Sequence, residues 1–258
     1  MKGTTWYIRR YVCDNGIEYK TKFPVREDLS CMKSSRKKSQ AVARAEKGAK
    51  EASHEMGRLM NCNFRVGHDF YMGIDYSDKG MSKLEDRAKE DDTELIIAAK
   101  KEYENFMRRV KRKADKLGIE VKAIAVISVS DPKTGEPTRI HHHLVVNAEA
   151  VEILESCWTS GGVWSKKLYS NFGVDLQELA DYMIAQAARV GVDKRYTHTR
   201  NLARAIVSKP VKARKPEAEL SVPQGCEKIW RSEYKKGRAQ HIRYYRPPTA
   251  PPEDSEDA

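Results

Sequence analysis

The chain has 258 residues, which is enough for one sizeable domain with smaller additions and for a core that folds by itself. It carries 48 Lys and Arg residues against 37 Asp and Glu residues, a formal net charge of +11 at pH 7. That sign favours a polyanionic partner, because phosphate contacts made by Lys and Arg release counterions. The sequence shows no long apolar span and no signal peptide, so we expect no membrane partner. The cysteines are scattered and none has Cys-x-x-Cys spacing, which predicts a reducing cytoplasm and argues against a zinc ribbon or a disulfide scaffold.

The N-terminal residues have the pattern of a β-hairpin. Residues 4–12 are rich in strand formers, and residues 17–23 alternate between apolar and polar side chains. Asn15-Gly16 stands between the two runs, and both residue types tolerate a positive φ. We therefore predict an N-terminal β-hairpin within residues 1–32.

The middle of the chain begins with a predicted helix that is very basic, from Ser34 to about Met60. Its apolar positions are few and mostly alanine, so we expect it to pack weakly. The segment from Phe70 to Tyr76 has the composition of a buried strand, and a polar connection is predicted from Met81 to Asp92. Apolar residues at three- and four-residue spacing then predict a helix from Thr93 to Leu117, and Gly118 follows where a C-cap glycine belongs.

A β-hairpin is predicted after this helix. A strand from Val121 to Val129 and a turn at residues 131–135 precede the apolar strand at residues 139–147, and we expect the two strands to pair. Residues 148–156 are predicted to be helical, and residues 158–164 to form a connection. This order of elements predicts an α+β fold, with a central antiparallel β-sheet and helices packed on it.

The C-terminal residues are interrupted by prolines and are basic from about Lys209. We predict a basic linker and a C-terminal hairpin in residues 208–246, with Lys236-Gly237 at the turn. Residues 247–258 are predicted to be a disordered acidic tail. The main domain is then residues 33–207, which include the basic helix.

Three consecutive histidines stand at the start of the apolar strand at residues 139–147. Alternate side chains of a strand share a face, so His141 and His143 point the same way, roughly 7 Å apart. Two imidazoles on one face of a packed strand make half of a divalent-metal site, although a solvated strand end would have the same composition. His142 is expected to point to the opposite face with Ile140 and Leu144.

A second candidate residue is a tyrosine on the next predicted helix. Asp175 suits the N-cap of that helix, with Glu178 as the partner of a capping box. The apolar stripe of the helix runs from Leu176 to Ala187, and Tyr182 lies off it, so we expect Tyr182 to be accessible. A tyrosine hydroxyl can attack a phosphodiester when a metal neutralises the phosphate and holds it in line.

These segments together resemble the HUH endonucleases, specifically the rolling-circle replication initiators of phages and mobile elements in bacteria. Asn63-Phe64 and the strand Asp69-Phe70-Tyr71-Met72-Gly73-Ile74-Asp75-Tyr76 resemble the first motif of the family, Arg139-Ile140-His141-His142-His143-Leu144-Val145 resembles its histidine–hydrophobic–histidine motif, and Leu179-Ala180-Asp181-Tyr182 with the basic segment to Leu202 resembles its tyrosine motif. The resemblance extends from roughly Ala43 to Leu202, and the three motifs stand in the order of the family.

The resemblance implies an HUH (RRM-like) palm, with His141 and His143 as ligands of Mg or Mn and Tyr182 as the nucleophile. The implied activity is that of a metal-dependent, site-specific single-strand DNA endonuclease and ligase. It would initiate rolling-circle replication through a 5′-phosphotyrosine intermediate. The implied partners are single-stranded or origin DNA together with a host helicase and polymerase, since the sequence has no Gly-x-x-x-x-Gly-Lys-[Ser/Thr] loop. The implied location is the bacterial host cytoplasm.

The sequence departs from the pattern of the family in three ways. The threonines of the family's first motif are Gly73 and Asp75 here. A glutamate often supplied by the strand before the histidines is missing from a neighbourhood that holds Ser128, Ser130 and Asp131. A lysine often found three residues after the tyrosine would fall at Ala185. As a substitute metal ligand we predict Asp75, on a strand expected beside the histidine strand, or Asp131.

The basic residues near the motifs are candidates for phosphate contact. Those predicted to bind DNA are Arg139, Arg189, Lys194, Arg195 and Arg200. Three alternatives to the nicking enzyme remain from the sequence. The first is a non-cleaving DNA-binding protein on the same scaffold, such as an inactive paralogue or a replication regulator. The second is an HUH transposase or relaxase, which shares the chemistry, and the third is an interaction protein with a basic surface.

Overall fold

The structure is a computed structural model that describes residues 4–26, 39–131, 134–188, 195–235 and 237–249. Within these residues the chain forms eleven strands, all in antiparallel sheets, and five α-helices, which confirms the predicted α+β class. The elements are β1 (Thr4–Val12), β2 (Ile17–Arg26), α1 (Ser39–Asn63), β3 (Phe70–Asp75), α2 (Asp78–Glu90), α3 (Leu95–Leu117), β4 (Ala123–Ser130), β5 (Pro137–Val146), α4 (Val151–Cys157), β6 (Val163–Lys167), α5 (Gln177–Ala188), β7 (Thr197–His198), β8 (Ile206–Val207), β9 (Val211–Lys212), β10 (Glu227–Arg231) and β11 (Gln240–Tyr245).

The chain divides into two compact units. The terminal unit contains Met1–Arg44 and Arg204–Ala258, and the central unit contains Ala45–Ala203. This division differs from the predicted one, in which the N-terminal hairpin (residues 1–32) and the C-terminal hairpin (residues 208–246) were separate segments. The two hairpins share a sheet because the free edge of β2 pairs with β11 along its length. Residues 250–258 of the predicted acidic tail lie outside the described residues.

The terminal unit is built on the predicted N-terminal hairpin. Asn15 and Gly16 form the turn between β1 and β2, where Gly16 has a φ of +84° and the Oδ1 atom of Asn15 accepts a hydrogen bond from the N–H of Ile17. The sheet order is β10-β11-β2-β1-β8, with β9 also paired to β1. Its small apolar cluster contains Leu220, Ile242 and Tyr244.

The central unit is built on a five-stranded antiparallel sheet with the order β6-β3-β5-β4-β7. The histidine strand β5 lies in the middle, between β3 and β4, so the predicted pairings on both of its sides are confirmed. Residues on this strand are braced by backbone hydrogen bonds from both neighbours. Side chains at the centre of the sheet therefore have fixed positions.

Helices cover both faces of the central sheet. The first face packs against α2, α3 and α4 and includes Ile140, His142 and Leu144 from β5. The second face packs against α1 and α5, and it carries Val145 from the same strand. The alternation of side chains in a strand places His141 and His143 on this second face. None of the helices among the described residues is long and apolar enough to cross a lipid bilayer.

The predicted helices are present, with two differences in how they pack or begin. The helix α3 ends at Gly118, which has a φ of 67° as the C-cap prediction requires. The weak packing predicted for the basic helix was wrong, because the C-terminal half of α1 buries Met56 and Met60 in the core. The capping-box prediction was also wrong in part, since Glu178 accepts a hydrogen bond from Asn171.

Two elements of the central unit were predicted as connections. The charged segment after β3 forms α2, which Ser77 caps by accepting a hydrogen bond from the N–H of Gly80. The helix buries Leu84 and Ala88, too few apolar positions to give a strong periodic signal. The edge strand β6, which begins inside the predicted connection at residues 158–164, was not predicted as a strand; it has only five residues and pairs with one neighbour, β3.

Candidate active site

The two predicted ligand imidazoles meet on the second face of the central sheet. The Nε2 atoms of His141 and His143 are 3.0 Å apart, and the ring centroids are 4.7 Å apart. His143 is buried, whereas His141 is partly exposed. The pair therefore lies at the edge of the core, where a bound group can be reached from solvent.

Hydrogen bonds at the far nitrogens orient both rings. The Nδ1 atom of His141 lies 2.7 Å from the carbonyl oxygen of Arg139, which can only accept, so this Nδ1 carries the proton and Nε2 carries a lone pair. The Nδ1 atom of His143 lies 2.7 Å from the hydroxyl oxygen of Tyr71, which can either donate to it or accept from it. Metal-binding histidines are held by this kind of outer hydrogen bond. The Nε2 atom of His143 lies 2.9 Å from Oε1 of Gln186, which can only accept, so Nε2 carries the proton in these contacts and Tyr71 donates to Nδ1. A cation bound at Nε2 would require the other tautomer, with the proton on Nδ1 and the Tyr71 hydroxyl as its acceptor.

A third polar atom beside the two imidazoles comes from α5. The Oε1 atom of Gln186 lies 2.9 Å from Nε2 of His143, and Gln186 is only 1% exposed. This contact is a hydrogen bond to an amide, a side chain that the sequence analysis did not name as a candidate ligand. The sequence does contain a signal for it, because Gln186 follows Tyr182 by four residues and so shares its side of the helix.

The spacing of these atoms fits a small divalent cation. In an octahedral shell with bonds of about 2.1 Å, neighbouring donor atoms lie about 3.0 Å apart. The separations of 3.0 Å between the imidazoles and 2.9 Å from His143 to Gln186 are hydrogen-bond distances, and they also match that spacing. Among the described residues, no group of three or more His, Cys, Asp or Glu side chains could hold a metal ion. The third atom beside the two imidazoles is an amide oxygen, which belongs to none of these side-chain types.

The charge state of His143 suits a ligand. Burial is the main cause that lowers the pKa of His143 from 6.5 to about 4, and the charge of His141 lowers it further. At neutral pH His143 is therefore uncharged, and in the tautomer with the proton on Nδ1 its Nε2 has a lone pair for a cation. Desolvation, which penalises the charged imidazole, produces this state.

The predicted nucleophile lies beside the imidazoles. The ring centroids of Tyr182 and His143 are 6.1 Å apart, and Tyr182 is 41% exposed, as its place off the apolar stripe predicts. Tyr71, on β3, lies next to both. Burial raises the pKa of the Tyr71 phenol, and the neighbouring Tyr182 phenol raises it further. The structure thus brings Tyr182, His141 and His143 together, and it adds Tyr71 and Gln186.

The two aspartates predicted as substitute ligands have other partners. Asp75 lies opposite His141 in the pairing of β3 and β5, as expected, but its Oδ1 atom accepts a hydrogen bond of 2.6 Å from the N–H of Gly162. Asp131 lies at the hairpin turn, where its Oδ1 atom accepts a hydrogen bond from the N–H of Thr134. Asp131 stabilises the turn between β4 and β5.

The predicted DNA-binding arginines are spread over the central unit. The guanidinium of Arg139 donates hydrogen bonds to the carbonyl oxygen of Tyr76 and to Asp78, and its side chain remains half exposed. Arg200 is exposed and Arg195 is partly buried. The predicted residues Arg189 and Lys194 lie outside the described residues.

Comparison of the chain with sequence models of protein families, with curated proteins and with solved structures finds no match. The functional interpretation therefore rests on the residues and geometry described above.

Proposed function

We propose that this protein is a metal-dependent enzyme that nicks and rejoins single-stranded DNA, of the HUH kind that initiates rolling-circle replication. One observation carries this proposal. The accessible phenol of Tyr182 and the donor atoms of His141, His143 and Gln186 lie on the same face of the central sheet.

The residues divide the chemistry between them. A divalent cation such as Mg²⁺ or Mn²⁺, held by His141, His143 and Gln186, would neutralise the scissile phosphate. The Tyr182 oxygen attacks phosphorus as the bond to the 3′-oxygen breaks. The phenol proton passes to solvent, which reaches the exposed ring, and the leaving 3′-oxygen takes a proton from solvent. The 5′-phosphate then stays on Tyr182, and the freed 3′-hydroxyl can prime synthesis. Attack by a 3′-hydroxyl on the phosphotyrosine restores the diester and needs no external energy source.

Tyr71 is a positioning residue in this scheme. Its hydroxyl holds the Nδ1 atom of His143, and the two rings stack at 5.5 Å with an angle of 7° between their planes. The raised pKa of Tyr71 keeps its phenol neutral at physiological pH. A neutral, buried phenol is a poor competitor of Tyr182 for attack on phosphate.

A non-cleaving DNA-binding protein on the same scaffold is the second candidate. The observation that favours it is the neutral amide at the third ligand position, because a site with fewer charged ligands binds a divalent cation more weakly. Transposition and conjugative transfer would use the same chemistry as replication initiation. The DNA substrate therefore separates those functions from each other.

The test is to incubate the full-length protein with a randomised pool of single-stranded oligonucleotides and Mn²⁺. We expect a covalent protein–DNA adduct that survives denaturing electrophoresis, and we expect a chelator or Tyr182→Phe to abolish it. Tyr169→Phe is the matched control, because Tyr169 is also in the central unit and is 76% exposed. DNA binding without an adduct would favour the non-cleaving protein. An adduct that persists in Tyr182→Phe would overturn the role of Tyr182.

A further inference from the structure

A cavity of about 460 Å³ opens beside His141 in the central unit, on the side of β3 and β6. The cavity is separate from the cation site that we propose at His143 and Gln186, but His141 contributes to both the cavity and that site. A ligand group in this cavity would therefore be a direct neighbour of a phosphate held at the cation. The side chains and glycines that form its wall include Gly73, Asp75, Thr138, Arg139, Gly162 and Trp164.

One wall of the cavity is an aromatic ring in a fixed place. A Cβ atom on Gly73 would lie 2.3 Å from the indole of Trp164, so the missing side chain is what allows the ring to lie against β3. The ring also packs edge-on against Tyr71, with centroids 5.4 Å apart. Despite these contacts Trp164 is 44% exposed. Aromatic rings that are held in place and still exposed are stacking platforms for unpaired bases.

The carboxylate of Asp75 forms a second wall of the cavity, and hydrogen bonds fix its position. The backbone of Asp75 is fixed on both sides, because Trp158 donates its indole N–H to the carbonyl oxygen and Gly162 accepts from the N–H. The Oδ1 atom accepts from the N–H of Gly162, and a Cβ atom on Gly162 would lie 2.9 Å from it. With Oδ1 used in this way, Oδ2 is left for a donor on the occupant of the cavity.

The rim of the cavity carries positive charge. Arg139 lies on β5 two residues before His141, and its guanidinium is oriented by Tyr76 and Asp78 while its side chain stays half exposed. The ammonium of Lys166 lies 5.9 Å from the centroid of the Trp164 ring. Cations next to a stacking ring are the combination that binds the backbone and bases of single-stranded nucleic acid.

We propose that this cavity holds one unpaired DNA base next to the scissile phosphate, and that Asp75 selects bases with an exocyclic amino group over thymine. Trp164 supplies the stacking surface, and Oδ2 of Asp75 accepts from the amino group of cytosine, adenine or guanine. Thymine offers only an imide N–H between two carbonyl oxygens, which a carboxylate repels. This specificity rests on the proposed function for the identity of the polymer, but it is a property of binding and does not require cleavage.

The test compares binding of two labelled nine-residue oligonucleotides, oligo-dC and oligo-dT, to the full-length protein in a chelator, by fluorescence anisotropy. The two bases are similar in size, so the ratio of their dissociation constants reports the amino group. We expect oligo-dC to bind at least about fivefold more tightly than oligo-dT, since one good base contact is worth that much discrimination. Asp75→Asn should bring the ratio close to one, because its amide can still accept from Gly162 but presents a donor in place of Oδ2. Asp115→Asn, on the opposite face of the sheet, should leave the ratio unchanged.

The stacking role has its own pair of variants. Trp164→Ala should weaken binding of both oligonucleotides at least about tenfold, whereas Trp164→Phe should keep most of the affinity, because both rings offer a π face. Tyr169→Ala is the control for loss of an exposed aromatic ring. A wild-type ratio of one, a ratio that Asp75→Asn does not change, or failure to bind either oligonucleotide would overturn the inference. A preference for oligo-dC without any covalent adduct would support the base-binding role of the cavity and refute the nicking enzyme. Nicking activity with a ratio of one would support the nicking enzyme and refute the base-binding role.

Discussion

The Oε1 atom of Gln186 lies 2.9 Å from the Nε2 atom of His143, although the two residues are 43 positions apart in the chain. One residue comes from the middle strand of the sheet and the other from the helix that carries Tyr182. A cation bound to both would tie that helix to the sheet. Tyr182 and the two histidines would then keep a fixed separation.

The contact predicts how Mn²⁺ affinity responds to changes at Gln186. Gln186→Ala removes a donor atom, so we expect roughly tenfold weaker binding, and Gln186→Glu adds a charge to the ligand set, so we expect tighter binding. Isothermal titration calorimetry measures both. Asp131→Ala is the control, because Asp131 caps the hairpin turn and should leave the affinity within about twofold. Equal affinity of Gln186→Ala and the wild type would remove Gln186 from the ligand set.

Tyr71 is expected to act on the metal site through His143. Tyr71→Phe keeps the ring that stacks on His143 and removes the hydroxyl that holds its Nδ1 atom. Loss of such an outer hydrogen bond typically lowers metal affinity or activity by about 10- to 100-fold. We expect Mn²⁺ affinity and the nicking rate to fall together by about tenfold, with a loss of about 1 kcal/mol in stability.

The control for Tyr71→Phe is Tyr234→Phe in the terminal unit. The hydroxyl of Tyr234 donates to the carbonyl oxygen of Glu217, so this change also removes one phenol hydrogen bond. It should leave Mn²⁺ affinity and nicking unchanged. If the two variants lose metal affinity to the same extent, the effect of Tyr71→Phe comes from general destabilisation and the positioning role is wrong.

The sequence predicted the parts of this site that depend on local periodicity. The alternation of a strand was sufficient to place His141 and His143 on one face, and the helical stripe was sufficient to place Tyr182 outside the core. The strand of Asp75 was expected beside the histidine strand, and β3 does pair with β5. The register of this pairing was not predicted.

The remaining parts depend on tertiary contacts. The hydrogen-bond partner of Asp75 is Gly162, which is 87 residues away on the connection before β6. The four-residue spacing places Gln186 on the same side of α5 as Tyr182, but its contact with His143 depends on how α5 packs on the sheet. The helix α2 could not be predicted for a related reason. It buries few residues, and they pack against α3, so the sequence of α2 alone shows no strong apolar periodicity.

Two buried histidines predict that the protein loses stability in mild acid. Burial lowers the pKa of His142 from 6.5 to about 3, and that of His143 to about 4. In the unfolded chain both histidines have a pKa near 6.5. Between pH 6.5 and their lower pKa values in the folded state, the unfolded state therefore binds more protons than the folded state. Stability is therefore complete above about pH 6.5 and falls as the pH decreases, by about 1.4 kcal/mol per pH unit for each histidine.

Urea unfolding in a chelator between pH 7 and pH 4.5 measures this slope. His142→Phe isolates one of the two groups, because the phenylalanine ring can occupy the aromatic surroundings of Tyr103 and Trp158 and does not titrate. The variant loses the hydrogen bond to Tyr76, but that cost does not depend on pH in this range. The slope of the variant should be smaller by about one proton. Equal slopes would show that His142 is not a source of the acid sensitivity.

Gly73 is the position on β3 where a single methyl group should change the site most. A Cβ atom there would lie 2.3 Å from the Trp164 indole, so Gly73→Ala must displace the ring or shift β6. Overpacking of this kind costs about 1–3 kcal/mol, and denaturant unfolding measures it. Gly48→Ala in α1 is the control and should stabilise the protein, because its Cβ would meet Arg195 at an ordinary 3.8 Å and alanine is favoured over glycine in a helix by about 0.8–1 kcal/mol.

Gly73→Ala should also lower affinity for oligo-dC, because the Trp164 ring that would stack on the base is displaced. Unchanged stability and unchanged affinity would mean that Trp164 does not lie over Gly73.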